Sequence, residues 1–247
     1  MSILLLPASC GTTTEITNTD SQHIVPQQSE HGSGAPAVID TLCCNGSPRV
    51  VVTGFEPFGG RRLNRSWEAV RRLPPSPGRE TRQLPVAYGR LSDEVAGLGS
   101  QQPHALLLVG ECPARSVAVE QVALNVVDTN RADNSQQKPA RETLLPEAPL
   151  ALRASWDARA VALRMAAAGI PASPSFHAGT YACNAALFLA LATLGAQTRV
   201  GFLHVPYQRW PRGIRLSVLV KAIEIALDSL VAASISMPPA RERTTCS

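Results

Sequence analysis

Short apolar runs alternate with segments of helical periodicity along most of the chain. The β-branched run RVVVT at Arg49–Thr53 and the run HALLLV at His104–Val109 are each followed by glycine, which is typical of buried strands. Similar runs predict further extended segments at Gln83–Tyr88, Glu120–Val127, Pro174–Ala178 and Thr198–Val205.

Helices are predicted where apolar residues recur at intervals of three and four. These segments are Asn64–Leu73, Ser155–Ala168, Cys183–Leu194 and Leu216–Ala233. Ser155 is expected to cap the second of these helices and Gly169 to end it. Strands that alternate with helices predict an α/β fold, a three-layer α/β/α sandwich with a mostly parallel twisted sheet in a single domain.

The composition of the chain changes near residue 48. Residues 1–47 are rich in Thr, Ser, Gln, Asn and Gly and lack apolar periodicity, so we predict a disordered N-terminal extension there. We expect the α/β domain to occupy residues 48–236 and residues 237–247 to form a loose C-terminal tail. Because residues 1–47 contain no Lys or Arg, neither a secretory signal nor a mitochondrial presequence is expected.

Charge and hydropathy argue against nucleic-acid and membrane partners. The formal net charge of +4 combines −4 in residues 1–47 with +8 in the remainder. The basic residues are scattered and aromatic residues make up only 4% of the chain, so no nucleic-acid partner is expected. The most apolar stretch, Ala185–Leu194, is about half as long as a membrane span, so no membrane partner is expected either.

Three polar residues near the ends of predicted strands and helices could carry chemistry. Cys183 begins an apolar helix in the sequence AGTYACN, and a helix N-terminus favours a thiolate, although a cysteine taken alone is more often a core residue. His204 lies near the carboxyl end of a predicted strand, where the sites of α/β proteins assemble, and His177 is the competing histidine. Glu120 opens an apolar strand, and a buried carboxylate there needs a partner such as a histidine.

The segment TGFEPFGG directly follows the first strand and is a further candidate. It lacks the glycine spacing and the lysine of a phosphate-binding loop. Phe55 and Phe58 either pack beneath this loop or line a small apolar pocket at the end of the strand. The six cysteines show no spacing suited to zinc, and no metal or cofactor is expected.

Taken together, these blocks resemble the pyroglutamyl peptidase type I family, also called pyrrolidone carboxyl peptidases. The resemblance covers about residues 49–230 and rests on VVVTGFEPFGG with the following LNRSWEAVRRLP, on AGTYACN and on GFLHVPY. Weaker matches lie in PARSVAVEQVALN and in the Asp133-Asn134 pair. The resemblance implies a thiol protease, an omega peptidase that hydrolyses the N-terminal pyroglutamyl residue from peptides, of a family that often forms homo-oligomers. The lack of export signals and the need for a free thiol favour a cytoplasmic location.

The resemblance assigns roles to particular residues of this chain. Cys183 would attack the pyroglutamyl carbonyl and form a thioester acyl-enzyme, His204 would take the thiol proton, and Glu120 would orient His204. The pyroglutamyl ring is a small neutral lactam, which aromatic faces and backbone hydrogen bonds recognise well. By resemblance, Phe55 and Phe58 would flank this ring.

Asn64 would help to hold the loop that carries these phenylalanines. No cofactor enters the reaction implied by the resemblance.

Two other functions stay open. One is a weakly active or inactive homologue that binds pyroglutamyl or lactam compounds. The other is a different α/β enzyme such as a nucleoside phosphorylase, which would need a phosphate site.

Four differences from the family pattern bear on activity. The segment Arg115–Glu120 is one residue short, which is expected to shift the strand that carries the glutamate. A family arginine is replaced by Asn130, and Arg131 follows one place later, which in an extended segment would point its side chain the other way. Glu111 replaces a neutral residue, and the loop at residues 208–210 is short and differs in sequence.

Overall fold

The computed structural model describes residues 49–208 and 213–232. The predictions for residues 1–47 and 237–247 lie outside these ranges. The strands of the described chain are β1 (Val50–Phe55), β2 (Arg79–Leu84), β3 (Ala105–Cys112), β4 (Val117–Glu120), β5 (Val122–Leu124), β6 (Ala151–Arg153), β7 (Ala172–Ser175) and β8 (Arg199–Pro206). The helices are α1 (Arg65–Val70), α2 (Tyr88–Ser100), α3 (Ala158–Ala167), α4 (Ala182–Thr193) and α5 (Leu216–Ala232).

Six strands form the central sheet, in the order β2-β1-β3-β8-β4-β7. All neighbouring pairs are parallel except β4 and β8, which run antiparallel. Strands β5 and β6 form a separate antiparallel pair. The predicted mostly parallel sheet is therefore confirmed, with one antiparallel neighbour that alternating helices and strands alone do not predict.

Apolar residues on both faces of the sheet explain the three layers. Along β3, Leu107 packs into a core with α1, α3 and α5, whereas Leu106 and Leu108 pack into a second core with α2 and α4. Because successive side chains of a strand point to opposite faces, a continuous apolar run serves both cores. The predicted three-layer sandwich is confirmed.

The predicted start of the α3 helix is wrong. The helix begins at Ala158, and the Asp157 carboxylate accepts hydrogen bonds from the backbone N–H groups of Arg159 at 2.9 Å and Ala160 at 3.3 Å. Ser155 instead uses its hydroxyl to accept a hydrogen bond from Val200 N at 3.0 Å. Both residue types cap helices well, and the contact with β8 decides which of them does so here.

The predicted strand Glu120–Val127 is also corrected. Glu120 ends β4 instead of opening a strand, and Gln121 separates β4 from β5. The Gln121 side chain donates to Trp156 O at 2.9 Å and accepts from Ala158 N at 2.8 Å, so this buried residue ties the break to the start of α3.

Strand β2 lies earlier in the chain than predicted, and helix α2 was not predicted. The sequence of α2, YGRLSDEVAGLGS, contains three glycines, which lower helix propensity. Leu91, Val95 and Leu98 nevertheless form a buried stripe against the sheet, so tertiary packing compensates for the weak propensity. Among the described residues, no helix is long and apolar enough to cross a membrane.

Candidate active site

Cys183 lies in the first turn of α4, as the second residue of the helix. Tyr181 precedes the helix in an extended conformation at the N-cap, and Cys183 is a free, partly exposed thiol. The backbone N–H groups of a first helical turn have no partner within the helix, and they carry partial positive charge. The local structure therefore offers N–H groups that can stabilise negative charge on an oxygen bound beside the sulfur.

Glu120 and His204 form a buried pair on the same side of the sheet as Cys183. In the antiparallel register, Ala118 lies opposite His204 and Glu120 lies opposite Phe202, so all four side chains share one face. The Glu120 Oε1 atom lies 2.7 Å from His204 Nδ1, and the two side chains are 2% and 7% exposed. The shortened segment before Glu120 does not prevent this contact.

The surroundings of His204 set its protonation. Burial lowers the pKa of the imidazole, but the negative charge and hydrogen bonds of Cys183 and Glu120 outweigh burial and raise it to about 10. His204 therefore holds a proton at neutral pH, between a carboxylate on one ring nitrogen and the sulfur it also contacts. This arrangement suits a base that takes a proton from a thiol.

Gly110 provides the space for the thiol. It pairs with His204 in the parallel register between β3 and β8. A Cβ atom at this position would lie 2.9 Å from Cys183 Sγ and 2.8 Å from Phe202 Cζ, closer than real Cβ atoms approach. The sequence indicated only that this glycine ends an apolar run, because the close approach depends on strand register.

A cavity of about 550 Å³ opens at Cys183, His204 and Glu120. Its wall includes Phe58, Tyr181 and Arg131, and the last of these lies with its guanidinium 5.9 Å from the Tyr181 ring centroid.

Arg131 lines this cavity, so the expectation that its shifted position would point it away is wrong. The alternation of side chains holds only for extended chain, and residues 130 and 131 lie in a bend. The guanidinium is therefore available to the same space that the missing family arginine would face.

His177 does not take the place of His204. It is exposed on the cavity wall, and its Nδ1 atom accepts a hydrogen bond from Gly179 N at 3.1 Å. Because the carboxylate of Glu120 contacts His204, the competing assignment of His177 as the paired histidine has no geometric support.

Phe55 and Phe58 both line a narrow recess beside Cys183, with a volume of about 10 Å³. Phe55 is 1% exposed at the end of β1, and its ring centroid lies 6.4 Å from that of Phe202. Phe58 lies farther along the loop, with its ring centroid 6.0 Å from that of Tyr181. The loop thus combines both uses expected for its rings, core packing and lining of an apolar recess.

Asn64 connects the loop that carries Phe58 to the start of α1. Its carbonyl accepts hydrogen bonds from the backbone N–H of Ser66 at 3.0 Å and from the Ser66 hydroxyl at 2.7 Å. Its amide donates to Glu56 O at 3.0 Å. Asn134 clamps the same loop from the other side, since it donates to Glu56 Oε1 at 2.8 Å and to Pro57 O at 2.9 Å.

Two further residues at the end of β3 face the site. Cys112 is the last residue of the strand and lines the cavity, and burial raises the pKa of its thiol. Glu111 lines both the cavity and the recess, with its side chain 2% exposed. Its Oε1 atom accepts from Arg65 N at 2.5 Å, and its Oε2 atom lies 2.9 Å from the Arg61 guanidinium.

Comparisons with known proteins agree with this geometry. A family model described as pyroglutamyl peptidase matches residues 48–233. Over 193 residues, the chain is 40% identical to the pyrrolidone-carboxylate peptidase of Thermococcus kodakarensis, which covers 72% of this chain and 94% of the relative. It is 39% identical over 171 residues to pyrrolidone-carboxylate peptidase 1 of Ralstonia nicotianae, covering 65% and 79% respectively.

Solved structures give the same result. The fold is similar to that of the pyrrolidone carboxyl peptidase from Thermus thermophilus, with a TM-score of 0.69 and 34% identity over 73% of this chain and 99% of that structure. It is also similar to pyroglutamyl peptidase I from Bacillus amyloliquefaciens, with a TM-score of 0.68 and 28% identity over 76% of this chain and 98% of that structure.

Proposed function

The chain belongs to the pyroglutamyl peptidase family, and from that premise we propose that Cys183, His204 and Glu120 carry out its reaction. Membership makes the chain a hydrolase that removes the N-terminal pyroglutamyl residue from peptides, as the resemblance implied. The observation that carries the assignment of residues is the buried Glu120–His204 pair beside a thiol at a helix N-terminus.

Before the substrate reacts, the proton of the Cys183 thiol passes to His204, whose raised pKa favours the imidazolium, and a thiolate remains. The thiolate attacks the carbonyl carbon of the pyroglutamyl residue, and the carbonyl electrons move onto oxygen. The N–H groups at the start of α4 stabilise that oxyanion. As the C–N bond breaks, His204 gives its proton to the leaving amine, and a thioester to Cys183 remains.

Hydrolysis of the thioester completes the cycle. A water molecule loses a proton to His204 and attacks the acyl carbon, and the sulfur leaves as a thiolate beside the imidazolium, which restores the starting pair. Glu120 holds the imidazole through Nδ1 and stabilises its charged form. His204 thus handles every proton that moves between Cys183, the leaving amine and water.

Substrate selection follows from the apolar wall of the cavity beside Cys183, because the recess of about 10 Å³ has room for no more than about one water molecule. A pyroglutamyl ring is neutral, and it lies in the cavity against Phe58, with Phe55 packed in the core beside the recess. A prolyl group has the same ring size but carries an ammonium, which these apolar rings do not pair. N-pyroglutamyl peptides are therefore the proposed substrates.

Turnover of a fluorogenic pyroglutamyl amide tests the proposal, with the matching prolyl amide as a comparison. The unaltered chain should cleave the pyroglutamyl amide only, Cys183→Ala should abolish cleavage, and Cys112→Ala should retain it. Lack of cleavage by the unaltered chain, or full activity of Cys183→Ala, would overturn the assignment.

Three further statements about the molecule belong to the same proposal. The catalytic domain is assigned to residues 48–236, because the described site residues all lie inside this range. A reducing compartment such as the cytoplasm suits a reaction that needs a free thiol. Homo-oligomer formation is proposed from the family resemblance alone and is tested by light scattering of the purified chain.

A further inference from the structure

The side chains of Arg61 and Glu111 form an ion pair next to the aromatic wall proposed to contact the substrate. Glu111 is almost wholly buried at the end of β3, two residues from a turn that leaves the sheet. Burial of a carboxylate is costly unless it is paired and hydrogen-bonded. Here the Arg61 guanidinium lies 2.9 Å from one oxygen and the Arg65 N–H lies 2.5 Å from the other.

Arg61 also contacts an aromatic ring of the recess. Its guanidinium carbon lies 4.7 Å from the centroid of Phe58 and 5.4 Å from that of Tyr207. A guanidinium at this distance from a ring face is attracted by the ring quadrupole. Arg61 therefore connects the buried carboxylate of Glu111 to the ring of Phe58.

The backbone between these residues needs such a connection. Gly59 and Gly60 follow Phe58 with φ values of +62° and +73°, and a Cβ atom added at either would meet nothing within 4 Å. Glycine pairs of this kind leave the chain with many accessible conformations. Asn64 and Asn134 hold the loop as far as Pro57, and beyond it the position of Phe58 depends on the contacts of its ring and of Arg61.

We propose that Arg61 and Glu111 are positioning residues that hold Phe58 against the lactam ring of the substrate. The inference rests on the proposed function. Phe58 lines the same cavity as Cys183 but has no proton to give or take, so its misplacement weakens binding more than chemistry. The pair also keeps the wall of the recess free of net charge, which suits a neutral ring.

Steady-state kinetics on the pyroglutamyl amide test this role. Arg61→Ala and Glu111→Gln should each raise KM by roughly tenfold, the size of a lost cation–π contact, while kcat changes far less. Arg61→Lys keeps the charge but lacks the planar guanidinium, so its KM should lie between those of the unaltered chain and Arg61→Ala. Because Arg61 and Glu111 act as a unit, the KM of the double variant should be close to that of either single variant.

A matched control and a binding measurement complete the design. Arg62→Ala removes the exposed neighbouring guanidinium and should leave KM unchanged. Calorimetric titration of an N-pyroglutamyl dipeptide amide into Cys183→Ala, with and without Arg61→Ala, should show the same loss of affinity without turnover. An unchanged KM, additive effects in the double variant, or a fall in kcat alone would overturn the inference. If the unaltered chain cleaves no pyroglutamyl amide, the proposed function fails instead.

Discussion

At the scale of single residues, the geometry of the site depends on a residue that packs against the reacting sulfur. Cys183 and His204 supply the chemistry, but a residue without a side chain makes their contact sterically feasible. Gly110 pairs with His204 between the two strands, and a Cβ atom at this position would crowd the Cys183 sulfur. We therefore expect functional effects at a position with no functional group.

Gly110→Ala tests that statement. The new methyl group would lie 2.9 Å from Cys183 Sγ and displace the thiol from His204, so kcat should fall by about a hundredfold. The free energy of unfolding should fall by only about 1–3 kcal/mol, the usual cost of overpacking. The control is Gly97→Ala in α2, where a Cβ atom meets nothing within 4 Å and activity should be retained. Equal kcat in both variants would contradict the account.

The pKa of His204 predicts how stability depends on pH. Its folded pKa of about 10 lies above the ordinary value of 6.5, so the folded chain binds this proton more tightly than the unfolded chain does. The resulting stabilisation is complete below about pH 6.5, decreases as pH rises and is lost above about pH 10. Glu120→Gln removes one cause of the raised pKa and should make this decrease shallower.

Urea unfolding at several pH values across that window measures the effect. The slope of the unfolding free energy against pH should be smaller in Glu120→Gln than in the unaltered chain. Glu147→Gln, which changes an exposed carboxylate, should keep the original slope. A slope that does not respond to Glu120→Gln would show that His204 does not gain its proton affinity from this carboxylate.

The sequence indicates some of these residues and not others. Cys183 and His204 stand in recognisable blocks, one after a glycine-containing turn and the other near a strand end. Arg131 could not be placed, because its direction depends on a bend and not on strand alternation. The role of Gly110 depends on the register between β3 and β8, which has no local signal.

At the scale of elements, the antiparallel pairing of β4 with β8 brings the glutamate to the histidine. Glu120 lies opposite the residue two places before His204, on the same face of the sheet, and a side chain of that length spans the diagonal. Apolar runs predict that these strands exist, but their relative direction is set by the long connection between them. The sequence also did not predict helix α2, because its helix propensity is weak and packing against the sheet stabilises it.

Asn184 anchors α4 and therefore the position of the thiol. This fully buried side chain accepts from Leu124 N at 2.8 Å and donates to Leu124 O at 2.8 Å and Val126 O at 3.0 Å. Asn184→Asp turns the donor into an acceptor facing two carbonyls, so the unfolding free energy should fall by about 2 kcal/mol or more.

Chemical unfolding with urea measures this change. Asn130→Asp, an equal substitution at an exposed position, should alter the unfolding free energy by less than about 0.5 kcal/mol. If the two variants had similar stability, the anchoring role of Asn184 would be wrong.

At the scale of the whole molecule, the three-layer fold collects the site at the carboxyl ends of β1, β3 and β8. The loop after β1 carries the recess, β3 carries Gly110 and Glu111, and β8 carries His204. This is the usual location of sites in open α/β sheets, and it follows from the parallel order of these strands. The sequence predicted this location for the loop after β1 and for His204, because both lie at the carboxyl ends of buried apolar runs, but not for Gly110.

The assignment of the catalytic domain to residues 48–236 has its own test. A chain shortened to these residues should keep the KM and kcat of the full chain, because every residue assigned to the site lies within it. Circular dichroism of the shortened chain checks that it folds. A folded but inactive shortened chain would show that residues outside this range contribute to catalysis.

The central claim is that Cys183 carries the acyl group, and mass spectrometry of the quenched reaction tests it most directly. After rapid acid quenching during turnover, we expect a mass gain of one pyroglutamyl group on the tryptic peptide that contains Cys183. The peptide that contains Cys112, the other thiol on the cavity wall, should carry none. An adduct on Cys112, or turnover that persists in Cys183→Ala, would contradict the account.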